Sequence, residues 1–158
     1  MKQYRLMLVT VALVMTSLSL LGCQDATKSA LSIAENTNEY TKGQGFNQAV
    51  HSQLKYFHLS VAAKNRQALP INQFHQWIVT LNDVNQTPIT DAAFFISGGM
   101  KGHGHGLPTQ PKVTKHLGNG RYLLEGMKFN MDGKWFVRIQ ISTPKQQDIA
   151  EFSFNVHY

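Results

Sequence analysis

The feature that most constrains this chain is an alternation of apolar and polar side chains with a period of two. Trp135, Val137, Ile139 and Ile141 alternate with Phe136, Arg138 and Gln140. Phe57, Leu59 and Val61 alternate with His58 and Ser60. An extended backbone sends successive side chains to opposite faces, so this pattern builds strands with one buried face. It predicts a strand from Lys55 through Val61, then Phe74–Leu81, Thr90–Ser97, Lys112–His116, Arg121–Met127, Trp135–Ile141 and a last one through Phe152, Phe154 and Val156. Turn residues separate them: Asn65 to Pro70, Asn82 to Gln86 with Pro88 just beyond, Asp132-Gly133, and Thr143 to Gln147. Gly118-Asn119-Gly120 contains the Asn-Gly pair that two-residue hairpins need for positive φ. Helical periodicity is absent after residue 55, and there are no internal repeats. The expected fold is all-β, an immunoglobulin-like seven-stranded antiparallel sandwich.

The first 22 residues do not belong to that domain. Lys2 and Arg5 precede a nearly unbroken apolar run, Leu6 to Leu21, which ends Leu20-Leu21-Gly22-Cys23. This is the layout of a secretory signal peptide, too short to be a comfortable membrane span. Its ending resembles the lipobox of bacterial lipoproteins. That resemblance implies cleavage before Cys23 and lipid, including palmitate, on the Cys23 sulfur and its new amine. Gln24 follows where an inner-membrane retention signal would place Asp, so the expected location is the outer membrane, facing the periplasm. Cys23 is the only cysteine, so no disulfide can form within the mature chain. Residues 23–52 are polar and read as a lipidated N-terminus and flexible tether, with residues 53–158 as the sandwich domain.

Charge and motifs exclude several functions. The formal charge is +6, but the basic residues are scattered, without the patch and interleaved aromatics of a nucleic-acid binder. The chain has no Cys nucleophile in its mature domain, no Gly-x-Ser-x-Gly, no phosphate loop and no close carboxylate pair, so an enzyme is not expected.

One stretch carries distinctive chemistry: Gly98-Gly99-Met100-Lys101-Gly102-His103-Gly104-His105-Gly106. Its glycines shape a loop, while His103, His105 and Met100 offer imidazole nitrogen and thioether sulfur, ligands suited to copper. Pairing consecutive strands as hairpins puts His75 within a residue or two of Ser97 and returns Met127 near Lys112. One end of the sandwich then collects His75, Met100, His103, His105, Met127, Met131, Asp132 and His157. Plainer readings stand beside this one. Met127 can be a core gap-filler, His75 a partly exposed strand residue, and His51, His58 and His116 surface histidines.

These residues resemble a family. Met100-x-Gly102-His103-Gly104-His105-Gly106-x-Pro108-Thr109-x-Pro111, then Gly118-x-Gly120-x-Tyr122, then Gly126-Met127-x-Phe129-x-Met131-x-Gly133-x-Trp135 look like the YtkA-like domain, related to the FixH-like proteins. His75-x-Trp77 fits as well, and the resemblance covers about residues 55 to 157. It implies an immunoglobulin-like extracytoplasmic domain. The FixH relatives are linked to assembly of cation pumps and haem-copper oxidases, which implies copper handling.

The resulting expectation is a copper-binding or copper-delivery lipoprotein. His103 and His105 are the candidate ligands with Met100 and Met131 as soft partners; Met127 and His75 are the second choices. The His and Met mixture favours Cu(I), and the two imidazoles suit Cu(II). The alternative is a metal-free interaction module of the envelope, with the glycine and histidine loop docking a protein partner. Either way the membrane is a partner through Cys23.

Overall fold

The computed structural model describes residues 45–65 and 67–157. Among these, nine strands form two antiparallel sheets. The strands in chain order are β1 (Asn47–His51), β2 (Phe57–Ala63), β3 (His75–Asp83), β4 (Ala93–Met100), β5 (His105–Gly106), β6 (Lys112–Gly118), β7 (Arg121–Met127), β8 (Gly133–Ser142) and β9 (Gln147–Val156). One sheet has the order β1-β2-β3-β7-β6 and the other β5-β4-β8-β9. Without β1 and β5 this is the constant-type immunoglobulin arrangement, four strands facing three.

Alternation does what the sequence predicts. Phe57, Leu59, Val61, Val137, Ile139, Ile141, Phe152 and Val156 are all buried. In antibody domains a disulfide joins the strands equivalent to β3 and β8. Here Trp77 on β3 and Trp135 on β8 are buried instead, with the Phe129 ring 6.2 Å from Trp77 and 5.1 Å from Trp135. Phe46 and Phe154 complete the cluster, 4.7 and 5.7 Å from Trp77. Burying one such ring contributes roughly 1.5–3 kcal/mol, comparable with the cross-link it replaces.

Two strands beyond the expected seven need explanation. β1 lies inside residues 23–52, read from sequence as tether; strand pairing starts at Asn47, ahead of residue 53. Its sequence hardly alternates, because it is an edge strand held by its partners. It pairs with β2, Gln48 Nε2 donates to the Ser153 carbonyl at 3.1 Å, and Gln53 N–H to the Ile149 carbonyl at 2.8 Å. β5 is the short return of the glycine loop onto β4.

One expected pairing is wrong. β3 and β4 do not form a hairpin, so His75 is not opposite Ser97; it is opposite Met127 on β7. The turn after β3 changes sheets. Asp83 Oδ1 accepts the N–H of Asn85 and of Thr87, both at 2.8 Å, and Ile89 N–H returns to the Leu81 carbonyl at 3.0 Å. The chain therefore curls back over β3 and delivers β4 to the opposite layer.

Candidate functional site

The corrected topology still collects the candidate residues at one end of the sandwich. β3 and β8 begin there, and β4 and β7 finish there. It does so as two cross-strand pairs on different sheets. His75 is opposite Met127 in the five-stranded sheet, and Met100 is opposite His105 in the four-stranded one. Met127 and Met100 are core residues, 0% and 2% exposed. Met131, between β7 and β8, is half-buried and packs against the core. His103 and His105 are exposed, their rings nearly parallel at 13° with centroids 6.1 Å apart. Asp132 and His157 are exposed as well. Cys23 lies outside the described residues.

Two close approaches build this end. A Cβ on Gly99 would sit 1.9 Å from the His105 carbonyl oxygen, so only glycine lets β5 fold back onto β4. His103 N–H then donates to the Met100 carbonyl at 3.1 Å. At the start of β8, a Cβ on Gly133 would meet the Met100 methyl at 2.7 Å. The Met100 thioether thus reaches the turn that carries Met131. Lys101 anchors the loop outside: its Nζ bonds Glu151 Oε1 at 2.8 Å and lies 5.2 Å from the Phe136 ring centroid. The Lys101 hydrogen bond holds the Glu151 carboxyl below its ordinary range; Arg138, at 2.7 Å, adds to this against the opposing effect of burial.

His75 is the electronically unusual residue. Its Nδ1 is 3.3 Å from the Gln73 carbonyl, an acceptor, so Nδ1 carries the proton and Nε2 carries a lone pair. That Nε2 is buried and has no hydrogen-bond partner among the described residues. Burial lowers the His75 pKa, more than the bond to Gln73 raises it, which favours the neutral imidazole. The ring lies 5.3 Å from Phe129 and 6.2 Å from Trp77, whose indole Nε1 is also buried without a partner among the described residues. A bulge makes this arrangement. Between His75 and Trp77 the β7 partner shifts from Met127 to Leu124, three residues against two. The shift reverses the phase of β7, so Tyr122, Leu124 and Met127 all point inward. Beside His75 a cavity of about 390 Å³ opens, lined also by Phe74, Gln76, Glu125 and Lys64.

The donor set here is imidazole and thioether. Among the described residues no three of His, Cys, Asp and Glu gather as a zinc-type cluster. A buried neutral imidazole nitrogen across from a sulfur suits a soft monovalent ion. From sequence, Met127 reads equally as a core gap-filler and His75 as a partly exposed strand residue, so both rank behind the loop histidines; the bulge that turns Met127 inward has no strong signature beyond Gly126. His51 and His58 read from sequence as surface histidines, and strand register adds that they are directly paired between β1 and β2.

Among solved structures, the ZirS C-terminal domain aligns with a TM-score of 0.38 at 9% identity, covering 96% of this chain and 88% of that one, too distant to bear on function. No curated protein matches the chain. A family model described as YtkA-like matches residues 58–140, from β2 into β8. That match spans more than half of the sequence, and the chain belongs to the YtkA-like family.

Proposed function

We propose that this chain is an extracytoplasmic lipoprotein, anchored through Cys23, that binds copper at the His and Met end of its sandwich. The observation that carries the reading is the His75 Nε2 lone pair, buried, without a partner among the described residues, and in register with Met127. Leaving a buried polar atom unpaired costs about 1–3 kcal/mol. A soft cation removes that cost by accepting the lone pair. His75 and Met127 are the inner donors, neutral as the ion requires. Met100 and Met131 supply further sulfur near the start of β8. His103 and His105, exposed on the loop, are the imidazoles a hydrated Cu(II) ion meets first.

The test is anaerobic Cu(I) titration of the purified protein against a chromogenic chelator. His75→Phe and Met127→Leu are each expected to weaken binding at least tenfold, with a smaller loss for His103→Asn/His105→Asn. Equal affinity in all variants overturns the reading. Labelled palmitate in the wild type and its absence in Cys23→Ser tests the anchor.

A second reading, a metal-free interaction module, is favoured by one edge. Gly98 turns its carbonyl to Leu107 N–H at 2.9 Å, on the side away from β8. By alternation Ile96 and Phe94 direct their N–H and C=O to that same side, where no strand pairs with them among the described residues. A cavity of about 530 Å³ lies along this edge, and Phe95 is 65% exposed. Capture of an envelope protein that survives His103→Asn/His105→Asn in metal-free protein supports this reading.

A further inference from the structure

At the opposite end of the sandwich, His51 and His58 are Cα partners across β1 and β2, with ring centroids 4.2 Å apart and planes tilted by 40°. Ser52 N–H donates to the Phe57 carbonyl at 3.0 Å, so Ser52 and Phe57 form a hydrogen-bonded pair. The next pair along, His51 and His58, is then the non-hydrogen-bonded kind, whose side chains stand closest. His51 is exposed and His58 half-buried, so solvent reaches the pair. Their position beside the Asn85-Gln86 turn separates them from the glycine loop by the length of the strands.

We propose that His51 and His58 form a two-imidazole chelate for a divalent cation such as Ni(II), Cu(II) or Zn(II), distinct from the His75 and Met127 site. Imidazole suits these borderline ions, and no thioether lies on either strand to favour Cu(I). Two donors fixed on paired strands bind with little loss of side-chain freedom, and water fills the remaining positions. Gln86 is the positioning residue. Its amide nitrogen is 3.4 Å from His58 Nδ1. A half-turn of that amide offers Oε1 to an Nδ1–H, which leaves His58 Nε2 free for the metal. The consequence is mechanical. β1 is the edge strand that also ties to β9 through Gln48 and Ser153, so a bound ion clips the C-terminal end of this edge strand to β2.

The test is thermal unfolding of the full chain with and without Ni(II). A ligand held only by the folded state raises Tm with the logarithm of its concentration. The wild type is expected to show this rise, His51→Asn and His58→Asn each to lose it, and His103→Asn/His105→Asn to keep it. The metal-free Tm of each variant is the folding control. Amide exchange in β1 is expected to slow with Ni(II) in the wild type alone. No rise in the wild type, a rise that survives loss of either His51 or His58, or one that vanishes with the loop pair overturns the proposal. The copper reading, tested with Cu(I) on other residues, stands or falls separately.

Discussion

Asp148, the second residue of β9, holds the β1–β2 turn through Leu54: both carboxylate oxygens accept the Leu54 N–H, at 3.1 and 3.0 Å. Tyr56 N–H adds a longer bond at 3.4 Å. The side chain is buried, so its charge depends on these donors. Burial pushes the Asp148 carboxyl up, while the Ser52 hydroxyl and the N–H groups of Ile149, Leu54 and Tyr56 pull it down and prevail. Its folded value is therefore below the unfolded value of about 3.9. The stabilisation is fully present above about pH 4 and is lost as pH falls through the folded value. Asp148→Asn is expected to cost about 2–3 kcal/mol at pH 7, since hydrogen bonds to a charge are lost and an amide NH₂ faces N–H donors. Urea titrations of wild type and variant are expected to converge toward pH 2. A deficit that stays constant with pH contradicts the assignment.

Tyr122 ties the sheet change to β7. Its Oη donates to the Ile89 carbonyl at 2.8 Å, and Ala92 N–H approaches it at 3.4 Å. The ring also packs edge-on against Phe94, 4.6 Å away. Tyr122→Phe keeps the packing and removes the hydroxyl, so the expected loss is about 1 kcal/mol. Tyr122→Ala is expected to lose about 3–5 kcal/mol, because the buried ring goes as well. Equal losses in denaturant unfolding would mean that the bond, not the ring, holds the crossover.

Gly133 faces two penalties when it gains a side chain, and their sizes decide between them. Its φ is +121°, where L residues rarely sit, at a cost of about 1–3 kcal/mol. The added Cβ would also press the Met100 methyl at 2.7 Å, but that is the far end of a flexible side chain. The backbone term is expected to dominate. Gly133→Ala should therefore lose about 1–3 kcal/mol in the wild type and nearly the same beside Met100→Ala. A loss that disappears in the Met100→Ala background would make the contact dominant.

Much of the fold was legible because burial and alternation coincide. β2, β8 and β9 show period two almost without interruption, and Asn119 and Gly120 at the β6–β7 turn have the φ of 50° and 66° that the Asn-Gly pair predicts. β1 was not legible, because Asn47 to His51 carries little apolar signal and gains its place from pairing. The β3–β4 crossover was missed because hairpin arithmetic assumes that neighbours in sequence pair. The Asp83 side chain captures two N–H groups and directs the chain to the other sheet instead. The end of the sandwich that gathers the sulfur and imidazole residues survived that error, since a crossover reverses strand direction as a hairpin does. The depth of each side chain did not follow from sequence. Met127 points inward only because the bulge at Glu125 and Gly126 shifts β7 by one residue.

His75→Phe separates stability from metal binding by opposite signs. In the metal-free protein the imidazole brings a buried nitrogen with no partner among the described residues, together with one long bond from Nδ1 to the Gln73 carbonyl at 3.3 Å. Phenylalanine removes the unpaired atom and puts an all-carbon ring in place of the imidazole beside Phe129 and Trp77. Losing the Gln73 bond costs about 0.5–1.5 kcal/mol, while removing an unsatisfied buried group gains about 1–3 kcal/mol. The net change in denaturant unfolding is expected to lie between a loss of about 0.5 and a gain of about 2.5 kcal/mol, so for the most part in favour of the variant. Cu(I) affinity, in contrast, should fall at least tenfold, because a donor atom is gone from a site that otherwise keeps its shape. A variant that is less stable by 2 kcal/mol or more would mean that Nε2 is hydrogen-bonded in solution, and would remove the reason for placing an ion there.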